Sequence, residues 1–493
     1  PPTESTTHLA VAGVKRMLQS TSGDLLVFLP GVGEIRQTQA LLETTAAAAD
    51  IALLALYGDL PLAEQQRVLL PSRQQKIVLA TNVAETSITI DGVTAVVDSG
   101  LARVNRLDPQ LGLNRLDVTR ISKAAADQRA GRAGRNAAGV CLRLWSEREQ
   151  LMLRDFDQPE IARVELSQCL LQLFAWGEQD IAAFPFYESP PVSAIEQALR
   201  LLHSLDALAD NKLTDLGRRM GRLPLQPRLA RLLIEGAHFG HADRAALCAA
   251  LLSERDPFRR QGAQGKAEHH SDSDTLDRLQ AIEEFLAYSA RSTSFGEVLP
   301  ASAKQILRAS QQLLRLISDR NIDSATKGSV LSNQTNSARQ VKSTANTISA
   351  APADQNKVPA RLAADADEST LRALLSAFPD RVCKRREPRG RRAVMVGGRG
   401  VRLADESAVA EGELFIAVEI TDAGQSETLV RQASRVERAW LPASHLTTTI
   451  DTAYDATRER IMAMRRLRFC DLVLEETPVA LPADIDVSSI LSE

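Results

Sequence analysis

Short apolar runs that stop at glycine- or proline-containing turns, and that alternate with helical stretches, constrain this chain most. DLLVFLP (24–30) is closed by Pro30 and Gly31 and followed by a helical stretch from Gly33 to Leu42, and KIVLATN (76–82) and AVVDSG (95–100) repeat the strand signal. Continuous rather than alternating apolar strands are buried on both faces, so residues 8 to 145 read as a parallel α/β sheet. RVNRLDPQLGLNRLDV (103–118) reads as two strands around the turn DPQLG, a hairpin attached to that sheet.

Helical periodicity replaces this pattern from about residue 155 to 320, as in VELSQCLLQLFAWG and RLARLLIEGAHFGHADRAALCAALL. Within it RRQGAQGKAEHHSDSD (259–274) is a polar tract whose His269, His270, Asp272 and Asp274 are expected to be a solvated loop rather than metal ligands. Residues 321–360, rich in Ser, Thr, Asn, Gln and Ala, are expected to be a disordered linker or insertion. ESTLRALLSAF (368–378) then leads as a helix into strands of a small β-barrel. Trp145, Trp176 and Trp440 stand alone and are expected to be core or partly buried packing.

At 493 residues, 44% apolar and 25% charged, the chain has room for three or four globular domains. A net charge of -3 and a pI near 6.3 exclude a globally basic nucleic-acid coat, so any polyanion site is local. Five scattered cysteines without a CxxC favour a reducing, cytoplasmic compartment over a disulfide framework or zinc site. No apolar run reaches membrane-spanning length, and no membrane partner is expected.

Two segments carry chemistry. DQRAGRAGR (127–135) spaces Arg129, Arg132 and Arg135 by three residues and fills the gaps with Gly and Ala, which brings guanidinium groups to one helical flank and leaves room for a polyphosphate. ATNVAETSITIDG (80–92) leaves a strand end with Thr81, Asn82, Glu85, Thr86, Ser87, Thr89 and Asp91, short polar groups suited to phosphate and ribose oxygens. A solvated arginine run and a capped polar turn are the alternative readings of each segment taken alone.

Taken in order, FLPGVGEI (28–35), YGDLPLAEQQRVLLP (57–71), ATNVAETSITIDG and QRAGRAGR resemble the second RecA-like domain of DEAH-box helicases. EIARVELSQCLLQLFAWG and LTDLGRRMGRLPLQPRLARLL are similar to that family's winged-helix and ratchet-like regions, and LRALLSAFPDRVCKRR and RRLRFCDLVLEETPVAL to its bacterial HrpB-type branch. The resemblance implies an α/β, RecA-like parallel-sheet domain (1–150), a winged-helix domain (151–220), a helical bundle (221–320), an OB-like barrel (361–445) and the start of an HrpB-type C-terminal region (446–493). It further implies ATP-driven movement on single-stranded RNA or DNA. Gln128, Arg132 and Arg135 would face the nucleotide phosphates, the arginines as fingers, while Arg129 would be structural. Thr89 and Asp91 would lie near the ribose, with Ser87 and Thr86 on the loop joining nucleotide to nucleic acid. Gly31, Thr81 and Asn82 would touch the nucleic-acid backbone, and the hairpin from Arg103 would lie against the duplex junction.

Three departures qualify this picture. Leu69 stands where many relatives carry a base-stacking Phe, so weak base discrimination is expected. Neither a GxxxxGK[ST] loop nor a DExH tetrad occurs, the nearest matches being GAQGKA, DADEST and LADESA, so ligands for ATP-bound Mg2+ are expected in a first RecA-like domain outside this sequence. The chain is accordingly expected to be a fragment, with a non-catalytic nucleic-acid-binding or scaffold protein as the alternative. Arg381, Lys384, Arg385, Arg386, Arg389, Arg391 and Arg392 form the densest basic cluster, either a track for a nucleic-acid backbone or a solvated hairpin. Arg385, Arg386 and Arg391 are its expected contacts.

Overall fold

A computed structural model of the chain describes residues 5–58, 60–86, 89–108, 113–135, 138–259, 270–294, 296–323, 360–422, 428–455 and 460–481. Its residues group into two units, Pro1–Leu166 with Pro185–Gln197, and Ser167–Phe184 with Ala198–Glu493. Of the expected features, the tract 260–269, the linker residues 324–359 and Ser87 lie outside the described residues.

The first unit runs α1 (Thr6–Leu18), β1 (Asp24–Phe28), α2 (Val32–Ala48), β2 (Ala52–Leu56), α3 (Leu62–Leu69), β3 (Lys76–Ala80), α4 (Val83–Thr86), β4 (Val93–Asp98), β5 (Leu101–Asp108), β6 (Leu113–Arg120), α5 (Lys123–Ala130), β7 (Val140–Arg143) and α6 (Glu147–Met152). Five strands pair in parallel in the order β2-β3-β1-β4-β7, with Leu25 opposite Ile77 and Ala95 opposite Val140. The continuous apolar runs explain the arrangement: Leu25, Val27, Ile77 and Leu79 pack on the face covered by α1 and α2, and Leu26, Phe28, Val78 and Ala80 on the other. β5 and β6 pair antiparallel from Leu101↔Arg120 to Asp108↔Leu113, the expected hairpin. Helix starts are set by local chemistry: Ser122 accepts from the Ala125 N–H at α5, and Ser146 and Glu149 form a capping box at α6.

The second unit contains α7 (Ser167–Trp176), the part of α8 (Val192–Ser204) from Ala198 on, the short pair β8 (Leu208–Ala209) and β9 (Lys212–Leu213), α9 (Asp215–Gly221), α10 (Pro227–His238), α11 (Ala242–Ser253), β10 (Phe258–Arg259), α12 (Asp274–Tyr288), β11 (Ser292–Thr293), β12 (Gly296–Val298), α13 (Pro300–Asp323) and α14 (Ala360–Ala377). A closed barrel comes next, formed by β13 (Val382–Arg385), β14 (Arg392–Met395), β15 (Gly400–Leu403), β16 (Leu414–Asp422) and β17 (Thr428–Val436) in the order β13-β14-β15-β17-β16. β18 (Leu446–Asp455), β19 (Arg460–Phe469) and β20 (Leu472–Val479) make a separate antiparallel sheet. The architecture is therefore the expected one of parallel sheet, helical region and small barrel. Among the described residues no helix is long and apolar enough to cross a membrane.

Two expectations are corrected here. Trp176 is 80% exposed rather than packed: it is the last residue of α7, beyond the buried Leu170, Leu173 and Phe174. The tract HSDSD is not a solvated loop throughout: Asp274 is buried and accepts hydrogen bonds from Ser407 Oγ at 2.7 Å and from the Ala408 and Ala433 N–H groups at 2.8 Å. Ser273 caps α12 and meets Ser434 Oγ at 2.7 Å. The polar run thus joins α12 to the barrel, satisfying backbone donors that water would otherwise take. Burial pushes the Asp274 carboxyl up, against the pull of these three donors.

Candidate nucleotide and nucleic-acid site

The carboxyl ends of β1, β3 and β4 converge on one buried ion-pair network. Arg129, on α5, has only 1% of its side chain exposed; its Nε donates to Glu85 Oε2 and its Nη1 to Asp98 Oδ1, each at 2.9 Å. Nη1 also reaches the Leu101 carbonyl at 3.2 Å, and the guanidinium lies 4.8 Å above the Phe28 ring. Asp98 is fully buried and also accepts from the Gly100 N–H at 2.9 Å. Burial pushes its carboxyl up, and the Arg129 charge and the Gly100 donor oppose that rise. Arg129 therefore ties α5 to α4 through Glu85 and to the sheet through Asp98.

This lock positions the two arginines beyond it. Arg132 donates through Nη2 to the Glu85 carbonyl, and Arg135 through Nη1 to the Thr89 hydroxyl. Partial burial, and then the neighbouring Arg135 charge, lower the pKa of Arg132, with Glu85 acting the other way. Two adjacent guanidinium groups, one partly desolvated, form a place where an anion is favoured. Gln128 is exposed on the same helix, and Thr89 and Asp91 are exposed beyond α4. A Cβ at Gly131 would meet only the Asp127 and Gln128 carbonyls at 3.4 Å, and one at Gly134 only the Gly131 carbonyl at 4.0 Å, so the gaps between the arginines are open. Thr86 closes α4.

A second grouping joins two other expected residues. A Cβ on Gly31 would fall 2.7 Å from the Arg103 guanidinium, which pairs with Glu34 at 3.6 Å in the first turn of α2. The absence of a side chain at Gly31 is what lets the hairpin strand β5 reach over the start of α2. At the end of β3, the Thr81 N–H donates to the Leu56 carbonyl at 3.1 Å, and exposed Asn82 accepts from the Glu85 N–H through its carbonyl at 3.0 Å. Leu69 closes α3 and is 36% exposed. Its backbone is set by Lys76, a buried residue that sequence reasoning missed. Lys76 Nζ donates to the Val68 and Leu70 carbonyls at 3.2 and 3.3 Å and pairs with Asp24 at 3.3 Å. The only sequence signal is a lysine opening an otherwise apolar strand.

In the barrel the expected basic cluster divides. Arg385 is buried, stacks 5.0 Å from the Phe415 ring and donates to the carbonyls of Gly412 and Val409 at 2.8 Å and of Gly390. The expectation that it contacts nucleic acid is therefore corrected: its donors are already used to hold the 409–412 segment. Arg381 is likewise buried, donating to the Val418 carbonyl at 3.2 Å. Arg391 donates to the Ala404 carbonyl and lies 3.8 Å from Asp405, whereas Arg386 is exposed. Among the described residues no cluster of three or more His, Cys, Asp or Glu is placed to hold a metal ion.

Residues 10–137, which hold the parallel sheet, the polar strand-end loop and the arginine segment, match the helicase conserved C-terminal domain, and residues 198–225 match the winged-helix part of the helicase associated domain (HA2). More particularly, the chain is similar in sequence and fold to DEAH-box helicases of the bacterial HrpB type. It is 43% identical over 240 residues to the ATP-dependent RNA helicase HrpB of Escherichia coli, covering 48% of this chain and 30% of that protein. To the ATP-dependent RNA helicase HrpA of the same organism it is 42% identical over 254 residues, covering 50% and 19%. The crystal structure of the E. coli DExH-box NTPase HrpB superposes over 100% of this chain with a TM-score of 0.71 and 30% identity. The chain spans 52% of that solved HrpB chain, and its match covers less than a third of the two curated relatives.

Proposed function

We propose that this chain is the arginine-bearing half of an ATP-dependent helicase that moves on single-stranded nucleic acid in the cytoplasm, with RNA the first candidate because HrpA and HrpB are named as RNA helicases. The observation that carries the reading is the buried Arg129–Asp98–Glu85 network, beside which Arg132 reaches the Glu85 carbonyl and Arg135 the Thr89 hydroxyl. In this reading residues 1–150 are the second RecA-like domain. The donor set suits ATP: paired guanidinium groups flanked by open glycines match a polyphosphate, and Arg132 and Arg135, with Gln128, would stabilise charge developing on the γ-phosphoryl oxygens. Thr89 and Asp91 would lie near the ribose, Ser87 on the loop that joins nucleotide to nucleic acid, and Leu69 would cover the base. Gly31, Thr81, Asn82, Thr86 and Arg103 would follow the strand's backbone, with Arg386 adding charge on the barrel. Bound Mg2+ would neutralise phosphate charge, its ligands lying in an upstream ATPase domain.

The first test uses the chain as it stands. It should bind a single-stranded oligonucleotide with strong salt dependence and little sequence preference, and hydrolyse no ATP above background. ATP turnover by the pure 493-residue chain, lost on Arg132→Ala, would overturn the division of labour proposed here. A sequence upstream of Pro1 encoding a phosphate loop and DExH motif in frame supports the enzyme. An upstream sequence without them supports the non-catalytic alternative.

A further inference from the structure

The open edge of the first unit's sheet is built to receive another strand. β2 ends the order β2-β3-β1-β4-β7, and no strand pairs with its outer side among the described residues. Its inner side is fixed by the parallel ladder: the Ala52 N–H donates to the Gln75 carbonyl at 2.8 Å and the Leu56 carbonyl accepts from Thr81 at 3.1 Å. By strand alternation, the N–H and C=O groups of Leu53 and Ala55 point outward. The sequence of β2, ALLAL, carries none of the charges or prolines with which edges are commonly blunted. A cavity of about 240 Å³ lies along this edge, lined by residues of α2, β2 and α3. The two helices cover opposite faces of the sheet, since Ile35 packs with Leu53 and Ala55 while Val68 packs with Leu54 and Leu56. The cavity is thus a groove with the strand edge as its floor and α2 and α3 as its walls. Exposed Arg36 and Arg67 outnumber Glu64 at its rim.

The geometry points to a docking site for an extended peptide that adds a strand to β2, places alternate apolar side chains against α2 and α3, and carries acidic residues that meet Arg36 and Arg67. A peptide fits this edge because the unmet groups are a row of backbone donors and acceptors, which strand pairing satisfies and a phosphodiester backbone does not. This site is separate from the arginine segment and does not depend on the helicase reading.

The test uses the full chain and a fluorescent peptide of roughly seven residues, alternating valine and threonine with aspartate at both ends. Expected are saturable binding and hydrogen-exchange protection of the Leu53 and Ala55 amides by about tenfold or more. N-methylating one alternate set of peptide amides should abolish binding, and the other set should leave it within about twofold, because only one set faces the strand. The double change Arg36→Glu and Arg67→Glu should weaken the acidic peptide about tenfold and spare one with neutral ends. Absence of saturation at millimolar peptide, or equal sensitivity to both methylation sets, overturns the proposal. So does Leu53 and Ala55 protection that rises with protein concentration alone, which would mean that a second copy pairs with this edge, or protection produced by an oligonucleotide instead of the peptide.

Discussion

Arg129 Nη1 and Asp98 Oδ1 are 2.9 Å apart in a site from which water is excluded, while Arg132 and Arg135, on the same arginine segment, reach the polar loop after β3. One arginine of the repeat builds the scaffold and the other two use it. Arg129→Ala should therefore act on folding: it strands a fully buried carboxylate and should cost about 3–5 kcal/mol. Denaturation of the first unit, followed by Trp145 fluorescence with Trp176 and Trp440 changed to Phe, should show that loss. The same substitution at Arg135 should change stability by no more than about 0.5 kcal/mol.

The barrel arginines make a second contrast. Arg385→Ala should destabilise the barrel by about 2–4 kcal/mol, since three or more carbonyls lose a charged donor and Phe415 loses its stacked partner. Exposed Arg386→Glu should leave stability within about 0.5 kcal/mol but flatten the salt dependence of oligonucleotide binding by roughly one counterion. Urea unfolding and a salt titration of affinity separate the two. Equal effects of both substitutions on both readouts would contradict the division of the cluster.

Each residue was legible or hidden in the sequence according to the kind of signal it leaves there. The parallel sheet was legible because β1, β3 and β4 are uninterrupted apolar runs, a pattern that burial on both faces requires. Arg132, Arg135 and Thr89 were legible as a group through ordered motifs; in the structure Arg135 meets Thr89 while Arg132 reaches the Glu85 carbonyl. The buried charges were not. Asp98 and Lys76 sit at strand ends where a polar residue normally faces water, and only the fold shows that partners from β1, α3 and α5 close over them. Arg385 hid in a dense basic run, because charge spacing says nothing about which guanidinium turns inward. Asp274 hid in a polar tract for the same reason.

Acid sensitivity should trace to Asp380. Burial opposes ionisation of this carboxyl, but Arg228, bound through two hydrogen bonds of 2.6 and 2.7 Å, outweighs it with help from Arg381 and holds the carboxyl below its ordinary range. A depressed folded pKa contributes stability that is present above the unfolded value, near pH ~4, and is lost as pH falls through the lower folded value. Because the side chain keeps 37% of its surface exposed, solvent screening limits the contribution to about 1 kcal/mol. The stability gap between the unaltered chain and Asp380→Asn should hold from neutral pH to about pH 5 and close below that window. A gap that widens on acidification would contradict the assignment.

Gly131 and Gly134 test whether the space between the arginines is used. Neither has a positive φ, and a Cβ would meet nothing closer than 3.4 Å at either position, so valine should fold. With this chain joined to an upstream ATPase domain, Gly131→Val or Gly134→Val should lower ATP turnover while the melting temperature of the first unit stays within about 2 °C. Unchanged turnover in both variants would show that no ligand approaches this backbone.

In the proposed function Arg132 and Arg135 stabilise charge that develops during phosphoryl transfer. Single-turnover ATP hydrolysis, measured with this chain joined to an upstream ATPase domain, tests that role most directly by comparing Arg132→Ala and Arg135→Ala with the unaltered protein. Nucleotide affinity should stay within roughly tenfold while the hydrolysis rate falls by about 10³-fold or more, because the interaction strengthens only as charge develops. Hydrolysis at the unaltered rate in both variants would contradict the account and leave the two arginines with no role beyond their bonds to Glu85 and Thr89.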